Sequence, residues 1–172
     1  MIICAGGNEN FPFAKAIGIG LIESAINLTR ICLEFQPKEL IFIGTCGLYE
    51  KGEILQIYES SHAFNIEFSK LSDFYSPAKT ELCLEKSAYK INSSNYICAD
   101  KNAALKLANL GLDIENMEAF SVLSVAKNFN INAKCFLCAT NFCNENAHQD
   151  FMKNHQKAKE KLAKFIKQKA LI

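Results

Sequence analysis

Two runs of the sequence, ELIFIG (39–44) and AKCFLCATNF (133–142), are apolar at almost every position. A strand with one wet face alternates polar and apolar residues, so unbroken runs of this kind read as buried strands covered on both sides. Helical patterns stand before and between them. From Leu21 to Phe35 the apolar positions Ile22, Ala25, Ile26, Ile31 and Cys32 predict a helix with one buried face. A short helix is expected over Ala103 to Leu110, another over Glu118 to Phe129, and a long amphipathic one over 144–168 with NEN as its cap signal. MIICAG, FAKAIGIG, EILQIYES and NYICAD, the last ending at Asp100, read as further strands. The stretch before Tyr89 shows no regular period. Strands alternating with helices predict an α/β fold, three layers α/β/α around a mixed central sheet, and the absence of any linker or repeat predicts one domain over 1–172.

Composition narrows the function. A net charge of +1 gives no general attraction to nucleic acid or acidic membranes. No apolar run approaches the roughly 18 residues of a membrane span, and the N-terminus lacks the basic start of a signal peptide, so a cytoplasmic protein is expected. Eight cysteines raise the question of metal. Cys135 and Cys138 are spaced as C-x-x-C, but on a strand that spacing sends them to opposite faces, which argues against a shared ion. The others stand singly among apolar residues and read as small buried hydrophobes of a reduced protein.

Three polar breaks follow apolar strands: Gly44-Thr45-Cys46-Gly47, Asn116-Met117-Glu118-Ala119 and Thr140-Asn141. In open α/β sheets, ligands gather at the carboxyl ends of strands. Each break taken alone also suits a turn, with glycine for unusual dihedrals and Thr or Asn as a local cap. Their convergence on one sheet edge favours a site.

With these residues in view, the chain resembles the purine nucleoside phosphorylase and methylthioadenosine nucleosidase superfamily, as a shortened member. GIGLIESAINLTRICLEFQPKELIFIGTCGL looks like that family's Gly-x-Gly segment, helix and strand ending in Gly-Ser/Thr-Cys/Ala-Gly. ICADKNA is similar to its Ser-Ala/Gly-Asp strand end, and NMEAFSVLSVAKNFNINAKCFLCATNF to its Glu-Met-Glu-Ala helix with the following strand. The resemblance implies cleavage of a purine nucleoside's N-glycosidic bond, with ribose passing to phosphate as co-substrate, no cofactor or metal, and a homo-oligomer. It also implies roles. Glu118 would hold the ribose hydroxyls and favour the cation-like sugar, although a carboxylate suits a first helical turn anyway. Met117 would line the sugar or simply be core. Asn141 stands where many relatives carry an aspartate, and would offer N–H to the departing base or cap its strand. Thr45, with Gly44, Cys46 and Gly47, would hold phosphate or water, the glycines letting the main chain approach closely. Asn116 and Asp100 complete the family's motif positions, His148 would reach the 5′ end or be a solvated first-turn residue, and Glu9 corresponds to the acid ending the first strand.

Departures from the family set the alternatives. The chain has one arginine, Arg30, within a helix, and Phe42 stands where phosphorolytic relatives place an arginine before the turn. Lys101-Asn102 follows CAD where a base-stacking aromatic is expected, and a pair of strands before Gly18 is missing. Alternatives to phosphorolysis are a nucleosidase using water, oriented by Glu9, and a catalytically lapsed member that binds a nucleoside or a protein partner. The apolar face of helix 21–35 is the expected subunit contact.

Overall fold

The computed structural model describes residues 1–171. In chain order its elements are β1 (Ile2–Cys4), β2 (Lys15–Ala16), α1 (Leu21–Phe35), β3 (Glu39–Leu48), β4 (Ile57–Ser60) and β5 (His62–Phe64). After a short 3-10 turn (Phe68–Ser72) come β6 (Glu81–Cys83), β7 (Ile91–Ser93), α2 (Lys101–Asn109), β8 (Ile114–Asn116), α3 (Ala119–Asn128), β9 (Asn132–Phe142) and α4 (Ala147–Gln168). The fold is α/β with a mixed sheet: β3 runs parallel to β1 and β9, and antiparallel to β8.

The parallel pair β3 and β9 explains the two apolar runs. On β3, Leu40 and Phe42 face a core shared with Leu28 and Ile31 of α1 and Val122 and Leu123 of α3. Ile41 and Ile43, pointing the other way, pack with Leu162 and Ile166 of α4. β9 alternates in step, with Cys135 and Leu137 on the first side and Phe136 and Cys138 on the second. Helices therefore cover both faces, and each fully buried side chain of this size contributes about 1.5–3 kcal/mol. The two cysteines of the C-x-x-C do sit on opposite faces. All eight cysteines are free, and Cys83 is exposed rather than buried as the sequence suggested.

Several expected boundaries differ. Neither β3 nor β9 stops at its polar break: β3 continues through Gly44-Thr45-Cys46-Gly47, and β9 through Thr140-Asn141. The reason is partnership, since Gly47 pairs with Glu115 of β8 on one side and Asn141 of β9 on the other. A register shift between Cys46 and Gly47 marks a bulge, which re-aims the strand end instead of ending it. FAKAIGIG yields only β2, because Gly18 (φ 96°) and Gly20 (φ 83°) turn the chain into α1. EILQIYES is extended only from Ile57, and no strand forms over 95–100; the neighbouring strand is β7, before that segment. On α1 the buried residues are Ser24, Leu28, Ile31 and Cys32, while Ile22 and Ile26 of the predicted buried face are exposed. No described helix is long and apolar enough to cross a membrane.

Candidate active site

A cavity of about 260 Å³ opens where the ends of β3, β8 and β9 meet the N-termini of α3 and α4. That is close to the lower end of the usual small-molecule range, about 300–1,000 Å³. Of the sequence-predicted residues, Glu9, Thr45, Cys46, Gly47, Asn116, Met117, Glu118, Asn141 and His148 all line it. Gly44 and Asp100 do not.

At one end the polar groups are already bonded to each other. Gly6 (φ 96°) and Gly7 (φ 57°) fold the chain after β1 into a tight turn, closed by the Glu9 N–H donating to the Gly6 carbonyl at 2.9 Å. The turn brings the Glu9 carboxylate against β3. There the Thr45 N–H donates to Oε2 at 3.0 Å and the Thr45 hydroxyl donates to Oε1. A Cβ at position 44 would lie 2.7 Å from Glu9 Oε2, so Gly44 is the room that the carboxylate occupies. The expectation that this glycine admits a ligand to the main chain is thereby corrected.

Asn116 ties the next two residues together. Its Nδ2 donates to the Thr45 carbonyl at 3.0 Å, while its Oδ1 accepts from the N–H groups of Glu118 and Ala119 at 2.8 and 2.9 Å, capping α3. A carboxylate here, as in the family motif, has no proton for the Thr45 carbonyl. With all these bonds made, Asn116 positions other residues more than it faces the cavity. Glu118 is 3% exposed, and its Oε1 accepts the Gly20 N–H at 2.9 Å at the entry to α1, where Asn95 Oδ1 accepts the Leu21 N–H at 2.8 Å. Burial pushes the Glu118 carboxyl up to about 7 against that hydrogen bond, and the nearby Glu9 charge adds to the rise. Burial likewise raises the Glu9 carboxyl from its ordinary range, opposed first by its bonds to Thr45 and then by the charges of Lys159 and His155.

The other end is built around Gly47. A Cβ there would meet Cys143 Sγ at 2.8 Å, Asn141 Nδ2 at 3.1 Å and Glu115 Cγ at 3.2 Å. Asn141 is buried; its Oδ1 accepts from the Thr140 hydroxyl at 2.9 Å and its Nδ2 donates to the Phe142 carbonyl at 3.1 Å. His148 stands exposed at the rim in the first turn of α4, with Phe151 one turn on. Cys46 lines the wall as a neutral thiol, because burial holds it protonated.

Asp100 is a correction. It is exposed and caps α2, accepting the Ala103 N–H at 2.6 Å, because the segment before it is a loop and not a strand aimed at the cavity. Sequence reasoning missed Glu115, whose signal was an acid standing directly before the Asn116-Met117-Glu118 break. It also missed the apolar Ile97 and Phe151, which line the cavity although no aromatic follows CAD. Three carboxylates therefore face this space, and among the described residues no lysine or arginine lines it. Arg30 is exposed on α1.

A family model described as the phosphorylase superfamily matches residues 73–169. No curated protein matches the sequence. Among solved structures, a mutant Helicobacter pylori MTAN with 5′-methylthioadenosine in its active site superposes with a TM-score of 0.81 at 17% identity, covering 97% of this chain and 95% of that one. A futalosine hydrolase mutant of Helicobacter pylori gives a TM-score of 0.82 at 16% identity, over 96% and 95% of the two chains. The 5′-methylthioadenosine/S-adenosylhomocysteine nucleosidase of S. pneumoniae gives 0.77 at 14% identity, over 95% and 94%.

Proposed function

We propose that this chain, which belongs to the phosphorylase superfamily, acts as a single-domain nucleosidase that hydrolyses the N-glycosidic bond of a purine nucleoside. The observation that carries the hydrolytic reading is the Glu9–Thr45 pair. Both donors of Thr45, the group expected to hold phosphate, are engaged by a carboxylate. A phosphate dianion placed there would meet Glu9 and Glu118 with no arginine fork to offset them. A water molecule suits the same place, with Glu9 taking its proton as the oxygen attacks C1′. Burial raises the affinity of Glu9 for a proton, which strengthens it as a base. Phosphorolysis, the first expectation from the resemblance, has less support from this geometry.

Glu118 keeps one carboxylate oxygen beyond its bond to Gly20, and in this reading accepts from the ribose hydroxyls. Its charge, with that of Glu9, favours the cation-like sugar in the transition state. Met117 lies along the sugar, Ile97 and Phe151 supply apolar contact to the base, Asn141 aims its amide at the base, and His148 stands at the 5′ end. Two of the similar structures are named as nucleosidases acting on 5′-methylthioadenosine or S-adenosylhomocysteine and a third as a futalosine hydrolase, which agrees with water as acceptor. No cofactor enters the proposal. The exposed stripe of Ile22, Ile26 and Leu33 on α1 is the proposed contact for a second copy, checked by the mass in solution and its loss in Ile26→Glu.

The test is a panel of 5′-methylthioadenosine, adenosine, inosine and guanosine, each with and without phosphate. Free base and free sugar at a phosphate-independent rate are expected. Formation of a sugar 1-phosphate would overturn hydrolysis, and tight nucleoside binding without turnover would establish the lapsed member instead.

A further inference from the structure

We propose that Glu115, one strand away from the recognised motif, is the acid that protonates the departing purine. The inference rests on the nucleoside-cleaving reading and adds the group that the reading lacks. A purine leaves with the electron pair of the C1′–N9 bond and needs a proton at a ring nitrogen. Asn141, at the base end of the cavity, is an amide and can donate a hydrogen bond but not a proton. Part of its donor capacity is already used on the Phe142 carbonyl.

Register places a carboxyl beside it. Gly47 of β3 pairs with Glu115 of β8 on one side and with Asn141 of β9 on the other, so the two side chains stand in one row across three neighbouring strands. The middle member has no side chain, and Glu115 Cγ and Asn141 Nδ2 both crowd the position its Cβ would take. Glu115 lines the same cavity as Glu9 and Glu118.

Burial favours a proton on Glu115, opposed by the hydrogen bonds it accepts. The groups facing it are the Cys98 thiol and N–H from the segment before α2, the Cys143 thiol after β9, and the Tyr49 hydroxyl after β3. None of these is a cation, and among the described residues Glu115 is in no ion pair. The Cys98 N–H donates to Oε1 at 3.0 Å, and the Cys143 thiol and Tyr49 hydroxyl also bond to the carboxyl. Burial takes the carboxyl up to about 7. A carboxyl held largely out of water with no cation beside it is costly to keep, and a cleft is where such a group is retained for chemistry.

The step balances. The C1′–N9 bond breaks with its electron pair going to the purine, the Glu115 proton passes to a purine nitrogen, and Glu115 is left as carboxylate. Water attacks C1′ and its proton passes to Glu9. Exchange with solvent then returns the proton from Glu9 to Glu115.

The experiment compares two leaving groups in the purified full-length protein. Inosine and adenosine need a proton on departure; p-nitrophenyl β-D-riboside releases a stable phenolate and does not. Glu115→Gln keeps the acceptor for Cys98 and the side-chain shape. It is expected to lose about 100-fold or more in kcat on the purine substrates while staying within roughly threefold of wild type on the nitrophenyl riboside. Equal losses on both, or none on either, overturn the proposal. Should Glu115→Gln fail to fold, as read by its thermal melt, Glu115→Asp serves, with the same selective loss expected and an unselective one overturning the assignment. A wild-type protein that cleaves both substrates while the variant matches it removes Glu115 alone. A wild-type protein that cleaves neither removes the nucleosidase reading as well.

Discussion

The two ends of the cavity are built by opposite means. At the Thr45 end, Glu9, Thr45, Asn116 and Glu118 bind main-chain and side-chain donors before any ligand arrives, and two carboxylates are held near each other by those bonds. At the Gly47 end, Glu115 and Asn141 come together through strand register, with few bonds between them and the segment carrying Ile97 alongside. The first end is preorganised around negative charge, which suits a water molecule and a cation-like sugar. The second, in the proposed reading, adds a proton source beside an amide. The lesson is that hydrogen bonding fixes the first end residue by residue, whereas the second depends on three strands keeping their alignment.

Substitutions at the first end test how much depends on its charge. Glu9→Gln is expected to lower kcat by about 1,000-fold while leaving nucleoside affinity within a few-fold, measured by turnover and by calorimetric binding, since it removes the base but not the sugar contacts. A variant with full activity would move the water to another residue.

The charge itself should register in stability. Glu118 and Glu115 have folded-state values near 7 against an ordinary 4.5, so between about pH 4.5 and 7 the folded state binds more protons than the unfolded one. Stability of the ligand-free protein must then fall as pH rises through that window, by up to about 3 kcal/mol per carboxyl. Melting curves at pH 5 and pH 8 check this, and Glu118→Gln should flatten part of the slope.

Glu118→Gln should also cost about 100-fold in kcat, because the amide still accepts from Gly20 and the sugar but brings no charge to the transition state. Thr45→Val removes one hydrogen bond to Glu9. An effect of about tenfold is expected, and the acid limb of kcat/KM should move to higher pH, since that bond is what lowers the Glu9 affinity for a proton. His148→Ala, at the exposed rim, should raise KM only about threefold, in line with a solvent-screened contact. A larger loss there than at Thr45 would invert the contrast between the two ends.

Much of this was legible before any coordinates. The unbroken apolar runs of β3 and β9 required cover on both sides, and α1, α3 and α4 fall near their predicted limits because each carries a helical period over several turns. Thr45, Glu118 and Asn141 were readable as lining one cavity because each falls in a polar break beside an apolar run. What stayed hidden lies in short strands. β5, β6, β7 and β8 are three residues each, too short for a period to be visible. A strand over 95–100 was expected because Tyr96, Ile97 and Cys98 look apolar, yet only Cys98 is buried, and Asp100 caps a helix instead of facing the cavity.

The sequence by itself determined the layered α/β architecture and the family, since apolar period and motif order are properties of the chain read in one dimension. Tertiary structure alone decided that Gly44 makes room for a carboxylate, that Asn116 binds both Thr45 and the start of α3, and that Glu115 stands beside Asn141. Those facts depend on the register between strands far apart in the chain, and register is chosen by the packing of the whole sheet, not by any local stretch of residues.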